Sequence, residues 1–128
     1  MTVTRDRADS TDPLKSEVFD HAHLQHYTMH DQRLAAEVLG LFLAQLPSTL
    51  HLLEQAETAP DWKSAAHALK GSAASVGAPR VRALASGLEA LAFPGELAVR
   101  LLRVQALKAE LAEFRNAVRR AYPGVAEP

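Results

Sequence analysis

The sequence predicts an all-α fold, an antiparallel four-helix bundle with a short additional N-terminal helix. The chain contains 24 alanines and 19 leucines but only nine valines and no isoleucine, so local preference favours helix over strand. Apolar residues recur at intervals of three and four in four long segments, and this is the period of one helix face. Short turns separate the segments, and helices joined in this way bury their apolar faces most simply as an antiparallel bundle.

An aspartate introduces each of the first two predicted helices. Asp12 followed by Pro13 is typical of an N-cap and a first helical residue. This pair predicts a short helix that carries Leu14, Val18 and Leu24. Asp31 predicts the start of a longer helix, and Pro47, which has no backbone donor, predicts a kink within it. The apolar positions of that longer helix are Leu34, Val38, Leu41 or Phe42, Leu46, Leu50 and Leu53.

Three further helices follow the same pattern. Asp61 is the predicted N-cap of the third, and Gly77 is its predicted left-handed C-terminal residue. One face of this helix carries Trp62, Ala65, Ala66, Leu69, Ala73 and Val76. The fourth starts at Pro79 and ends before Phe93-Pro94-Gly95, with Val81, Leu84, Leu88 and Leu91 as its apolar stripe. The fifth runs from about Glu96 to before Tyr122, with Leu97, Leu101, Val104, Leu107, Leu111, Phe114 and Val118 on one side.

Composition and length exclude several classes of protein. We expect one domain over residues 12–122, between a disordered tail at 1–11 and a C-terminal tail at 123–128. No apolar run approaches the roughly 18 to 20 residues of a membrane span, and no secretory signal is recognisable. The absence of cysteine excludes disulfides and thiolate chemistry and indicates the cytoplasm. With 14 basic and 15 acidic residues, the chain lacks the positive charge that nucleic acid binding requires.

The candidate chemistry centres on a histidine of the third helix. His67 precedes Leu69 by two residues, so at about 100° per residue it projects away from the buried stripe. A neutral imidazole is a nucleophile, and an ammonium group one turn away can bond the oxygens of an anion attached to it. This pairing suits phosphoryl chemistry. The residues at helical spacing on the same outer face are Lys63, His67, Lys70, Gly71 and Ala74.

Gly71 is unusual in a chain that uses alanine freely. A glycine inside a helix costs roughly 0.5–1 kcal/mol relative to alanine, so some gain should offset it. Close approach of another protein to His67 is one explanation, because Gly71 has no side chain to obstruct it. The alternatives are that Gly71 lets a neighbouring helix pack closely, that His67 is an ordinary solvated histidine, and that Lys70 is an ordinary surface lysine.

The eleven residues from His67 to Gly77, HALKGSAASVG, resemble the signature of histidine-containing phosphotransfer (HPt) domains of multistep phosphorelays. That signature is His-x-Leu-Lys-Gly, a run of small residues and a further glycine. A looser resemblance extends over residues 18–120 and includes Asp31, Leu41-Phe42-Leu43, Asp61 and Leu88-Glu89. Two positions depart from the family pattern: Ala68 stands where hydroxyl residues are common, and His30 stands where glycine is frequent.

The resemblance implies a role for each matching residue. His67 would accept and donate the phosphoryl group through Nε2, Lys70 would help to hold the phosphoryl oxygens, and Gly71 would admit the receiver domain. Glu89 matches a family position, occupied by Gln or Glu, whose side chain lies beside the histidine. A carboxylate there would accept from Nδ1–H and leave Nε2 free to attack. The alternatives for Glu89 are a solvated residue or a partner of Arg82.

The resemblance also implies the partners. These are receiver domains of hybrid sensor kinases and of response regulators, which would supply the Mg²⁺ that this chain lacks. The chain itself would be a monomeric phosphoryl carrier rather than an enzyme, since it has no phosphate-binding loop and no length for a kinase domain. Neither a nucleic acid nor a membrane is an expected partner. The residues expected to contact the receiver are Lys63, Ser64, Gly71, Ala74 and Ser75.

Two other functions remain open at this point. His21, His23, His26 and His30 include pairs at helical spacing that would ligate zinc or nickel if one helix carried them all. No set of acidic residues or cysteines completes such a site, so a metal site is not the expected reading. A helical bundle that binds receivers without phosphoryl transfer is the other alternative. It predicts loss of the nucleophile, whereas His67 is present.

Overall fold

The computed structural model describes residues 17–125, which form five α-helices and no β-strand. The all-α prediction is therefore confirmed, while the antiparallel bundle arrangement stays a prediction. The helix α3 packs against α1, α2 and α4, and α4 packs against α5, so α3 has neighbours on several sides. The helices are α1 (His21–Tyr27), α2 (Gln32–Glu54), α3 (Ala59–Val76), α4 (Pro79–Ala90) and α5 (Leu97–Ala121).

Side-chain caps decide where the first two helices begin. The Asp31 carboxylate accepts from the backbone N–H groups of Arg33 and Leu34, as the sequence predicted for this N-cap. For α1 the N-cap is Asp20, whose carboxylate accepts from the N–H of His23. Val18 precedes the helix, so its predicted place within α1 was wrong. The predicted starting pair, Asp12 and Pro13, lies outside the described residues.

The helix α3 begins three residues earlier than predicted. Its N-cap is Thr58, not Asp61, because the Thr58 hydroxyl accepts from the N–H of Asp61. Pro60 stands in the first turn, where a missing backbone donor costs nothing. Asp61 therefore lies inside the first turn, where its negative charge favours the helix dipole. At the other end Gly77 adopts the left-handed conformation with φ 79°, as predicted.

The buried face of α2 is rotated relative to the predicted stripe. Leu41 is 63% exposed, whereas the neighbouring Phe42 and Leu43 are buried. This buried face contacts α3 and the Phe114 ring of α5. Its centre lies between the residues that the spacing of apolar positions predicted to be buried. The helix continues through Pro47 without interruption. Its buried residues are Ala35, Leu39, Phe42, Leu43, Leu46 and Leu53.

The predicted stripe of α5 is correct only from Val104 onward. Leu97 and Leu101 are 58% and 56% exposed, so their predicted burial was wrong. In these first turns the inward side chain is Arg100, whose guanidinium lies 4.8 Å from the centre of the Phe93 ring. A cationic side chain thus covers the turn before α5 in place of leucine. The buried apolar residues are Val104, Leu107, Leu111, Phe114 and Val118.

Within residues 17–125 one helix, α2, is long and apolar enough to cross a membrane by length and composition alone. Core helices of soluble proteins meet the same criterion. Six apolar side chains of α2 are buried in the core of this fold.

Trp62 connects α3 to the end of α4. Its ring is 1% exposed, and Nε1 donates to the Leu88 carbonyl oxygen at 2.7 Å. A buried indole N–H needs such a partner, so this bond fixes the last turn of α4 against the first half of α3. The next residue of that turn, Glu89, thereby lies beside the outer face of α3.

The link between α1 and α2 holds two residues other than glycine at positive φ, Met29 at 55° and His30 at 60°. This conformation costs roughly 1–2 kcal/mol for a residue with a Cβ atom. We expect His30→Gly to raise the free energy of unfolding by about 0.5–1 kcal/mol, after the added entropy of the unfolded chain is subtracted. Urea denaturation measures the change. His26→Gly, in helical α1, should lower stability instead, and a loss in both variants would contradict the strain at His30.

Candidate functional site

His67 lies on the outer face of α3, as the sequence predicted. Its side chain is 69% exposed, while Ala66, the residue before it, and Leu69, two residues after it, are buried. The reason is the helical period, since the buried stripe of α3 points into the core and His67 falls opposite to it. The imidazole is therefore accessible to another protein.

Glu89 bridges the imidazole and the neighbouring ammonium group. Its Oε2 lies 2.9 Å from Nδ1 of His67, and its Oε1 lies 2.7 Å from Nζ of Lys70. Because a carboxylate only accepts hydrogen bonds, Nδ1 carries a proton, and in the neutral imidazole Nε2 therefore carries the lone pair. Glu89 thus bonds residues of α3 and not Arg82, which was the alternative partner.

Lys63 has an intramolecular contact that the sequence did not indicate. Its Nζ donates to the backbone carbonyl oxygen of Glu89 at 2.8 Å. Carbonyls in the last turn of a helix have no partner within the helix, and a cation there also favours the helix dipole. Lys63 therefore holds the turn of α4 that carries Glu89. The sequence suggested a contact with a partner protein for this residue, and nothing in the spacing indicated the capping contact.

The Glu89 carboxylate is ionised at neutral pH. The Lys70 ammonium, bonded to Oε1, lowers the pKa of Glu89 below its ordinary value of 4.5; partial burial opposes this effect and the His67 bond adds to it. Because the folded-state pKa is the lower one, the two bonds persist above it and are lost as the pH falls through it.

Carbon NMR of the side-chain carboxyl groups tests this directly. We expect Glu89 to titrate below 4.5, and Lys70→Met to move its midpoint upward because the main cause of the lowering is removed. A Glu89 midpoint at or above 4.5 would contradict the bridging geometry.

Gly71 borders open space on the same face. A Cβ atom added there would meet no atom within 4 Å among residues 17–125. The alternative that Gly71 lets a neighbouring helix pack closely therefore finds no support in the described fold. One turn later Ala74 and Ser75 are half-buried, and the Ser75 hydroxyl donates to the Gly71 carbonyl oxygen. The surface next to His67 is consequently low and unobstructed.

Two clefts flank this surface. One, of about 350 Å³, lies between α2 and α3 and is lined by Leu52, Gln55, Ala56, Asp61, Ser64, Ala65 and Ala68. The other, of about 320 Å³, is lined by Asp20, His23, Ala73, Ala74, Gly77, Ala78, Pro79 and Arg82. Sequence reasoning selected Ser64 and Ala74 but missed Leu52, which is 61% exposed. The signal that could have identified Leu52 is its place outside the predicted apolar stripe of α2.

The N-terminal histidines do not converge. Within residues 17–125 no group of three or more His, Cys, Asp or Glu side chains is arranged to hold a metal ion. His21 Nε2 lies 2.6 Å from the Tyr122 hydroxyl oxygen, and His23 stacks on Tyr27. Burial raises the pKa of Tyr122, so its hydroxyl is neutral in that bond. The metal-binding alternative gains no support from these contacts.

The arrangement presents a nucleophilic Nε2 to solvent, with Nδ1 held by a carboxylate and an ammonium group beside it. In a comparison with protein families, the family model for the Hpt domain matches residues 37–117. This is more than half of the chain and includes all of α3 and α4. No curated protein and no solved structure matches the chain.

Proposed function

The chain belongs to the Hpt domain family, and from this membership we propose that it carries phosphoryl groups between receiver-domain aspartates through Nε2 of His67. The observation that supports the proposal best is the bond between Nδ1 of His67 and Oε2 of Glu89 at 2.9 Å. It directs the nucleophilic nitrogen outward on a side chain that is mostly exposed. A residue with an ordinary solvated role would need no such orientation.

The phosphoryl group enters by nucleophilic attack. The Nε2 lone pair forms a bond to phosphorus, the bond from phosphorus to the aspartate oxygen breaks, and the receiver's carboxylate leaves with that electron pair. The imidazole becomes cationic, and the Glu89 carboxylate stabilises that charge. Lys70 is proposed to donate to the phosphoryl oxygens, because an ammonium has three N–H donors and Glu89 uses one.

The receiver is proposed to supply Mg²⁺ and the groups that polarise the phosphoryl oxygens, so that this chain is a carrier with no cofactor and no kinase activity of its own. Phosphoryl transfer depends mainly on positioning and electrostatic stabilisation, and these come from both proteins. The residues proposed to contact the receiver are Lys63, Ser64, Gly71, Ala74 and Ser75, and Lys63 also holds the end of α4. We further propose that the chain acts in the cytoplasm as a monomer, with hybrid sensor kinases and response regulators as its partners.

Transfer from a phosphorylated receiver domain tests the proposal. Incubation with a radiolabelled phosphoreceiver should move the label to this chain, and the label should resist alkali and be released by acid. Phosphorus NMR of the product should place the group on Nε2 of an imidazole. Absence of label, or a label stable to acid, would overturn the assignment.

A further inference from the structure

The residue that faces Nδ1 of His67 is a carboxylate and not an amide. An amide can accept a hydrogen bond from Nδ1–H or donate one to a deprotonated Nδ1, whereas a carboxylate can only accept. Oε2 of Glu89 lies 2.9 Å from Nδ1. A deprotonated Nδ1 would therefore direct its lone pair at an anionic oxygen, which is unfavourable.

We propose that Glu89 keeps Nδ1 of His67 protonated after Nε2 has been phosphorylated, and so keeps the phosphoryl group transferable. The inference rests on the proposed function. The inference concerns release of the phosphoryl group from His67, whereas the orientation of Nε2 concerns its acceptance. Glu89 acts here as a positioning residue, because it touches the imidazole and not the phosphoryl group.

The leaving group explains why this proton matters. In transfer to a second receiver, an aspartate oxygen forms a bond to phosphorus, the bond from phosphorus to Nε2 breaks, and the electron pair returns to Nε2. If Nδ1 is protonated, neutral imidazole leaves with the proton still on Nδ1. If Nδ1 is deprotonated, the leaving group is an imidazolate anion, which is far more basic. When Nδ1 is protonated throughout, the imidazole therefore returns to its starting tautomer without loss or gain of a proton.

The charges around the imidazole make Glu89 the group that controls this proton. Its two oxygens have separate partners, since Lys70 bonds Oε1 and His67 bonds Oε2. Lys63, the other cation nearby on α3, bonds the backbone carbonyl of Glu89. Among residues 17–125, Glu89 is the anion that the structure bonds to His67.

Other charged groups lie farther along α3. Asp20 and His23 of α1 and Arg82 of α4 line the cleft at Ala74, which is two turns from His67. Towards α2 the charged residue of the other cleft is Asp61, at the start of α3. None of these groups has a recorded bond to the imidazole, so their influence on Nδ1 is weaker than that of Glu89.

The decay of the phosphorylated chain at different pH values tests the proposal. Potassium phosphoramidate phosphorylates histidines directly, so His67 is loaded without a receiver, and its phosphorus resonance is the one that is missing from His67→Gln treated in the same way. After removal of the reagent, phosphorus NMR follows the decay from about pH 6 to about pH 10 in the wild type, Glu89→Gln and Glu37→Gln. Nitrogen NMR of Nδ1 reports its protonation in the same samples. Glu37 is an exposed glutamate on α2 and controls for the loss of one negative charge.

In each protein the decay should slow as the pH rises and Nδ1 loses its proton. We expect this midpoint to lie about one pH unit lower in Glu89→Gln than in the wild type. Above both midpoints the variant should therefore decay about tenfold more slowly, while Glu37→Gln follows the wild type. Coincident profiles for all three proteins would overturn the inference. Failure of the proposed function would appear differently, as the absence of transfer from a phosphoreceiver to a chain that phosphoramidate still loads.

Discussion

His67→Gln should reduce phosphoryl acceptance from a receiver at least about 10³-fold, because the substitution removes the attacking nitrogen itself. Glutamine keeps a polar side chain of similar reach, but its amide nitrogen has no nucleophilic lone pair. The fold should be unaffected, since His67 is 69% exposed and glutamine favours a helix at least as well as histidine. The rate of label transfer from a radiolabelled phosphoreceiver, with circular dichroism to check folding, measures the effect.

His51→Gln is the matched control, because His51 is also an exposed histidine on a long helix. It should accept the phosphoryl group at the wild-type rate. If His67→Gln were labelled as well as the wild type, another residue would be the acceptor and His67 would have no role in the chemistry. If both variants lost labelling, the cause would be a general effect of histidine replacement.

Gly71→Gln should change stability and transfer in opposite directions. Stability should rise by about 0.5–1 kcal/mol, because glycine is a poor helix former and glutamine a good one. A Cβ atom at Gly71 meets nothing within 4 Å among the described residues, so no clash offsets this gain. Transfer from a receiver should fall about 100-fold, because the longer side chain fills the space next to His67 that the partner must enter. Urea denaturation and transfer kinetics measure the two effects.

Two controls separate docking from packing. Direct loading by phosphoramidate should be little changed in Gly71→Gln, because a small molecule needs less space than a receiver domain. Ser72→Gln places the same glutamine side chain one residue further along α3, away from the His67 face, and should leave transfer near the wild-type rate. A less stable Gly71→Gln that transfers normally would contradict the docking role and indicate a packing role.

The boundaries of several helices followed from local chemistry and were predictable. Asp31 caps α2 and Gly77 ends α3 as expected, because capping and left-handed geometry depend on a few adjacent residues. The start of α3 was misplaced because Thr58 and Asp61 are both good cap residues, and the choice between them depends on where the chain leaves α2. Spacing cannot rank two candidates that are only three residues apart.

The predictions of side-chain burial were right where other elements surround a helix and wrong where they do not. In α5 the stripe from Val104 to Val118 is buried as expected, but Leu97 and Leu101 are exposed. An apolar repeat shows which side of a helix is suited to burial, while the neighbouring elements decide how many turns are covered. In the turns before Val104, Arg100 and the Phe93 ring contact each other in place of the predicted leucines. The three- and four-residue spacing of apolar positions does not reveal this contact.

For the candidate site, the sequence by itself determined the outward direction of His67 and its spacing from Lys70 and Gly71, because these depend only on the period of a single helix. The family resemblance suggested that Glu89, 22 residues away, lies beside His67. Only the tertiary structure decided that the same carboxylate also bonds Lys70 and that Lys63 caps α4. Contacts between helices depend on how far one helix is displaced along the other. Here the buried bond from Trp62 to the Leu88 carbonyl sets that displacement, and the carboxylate therefore lies beside the imidazole.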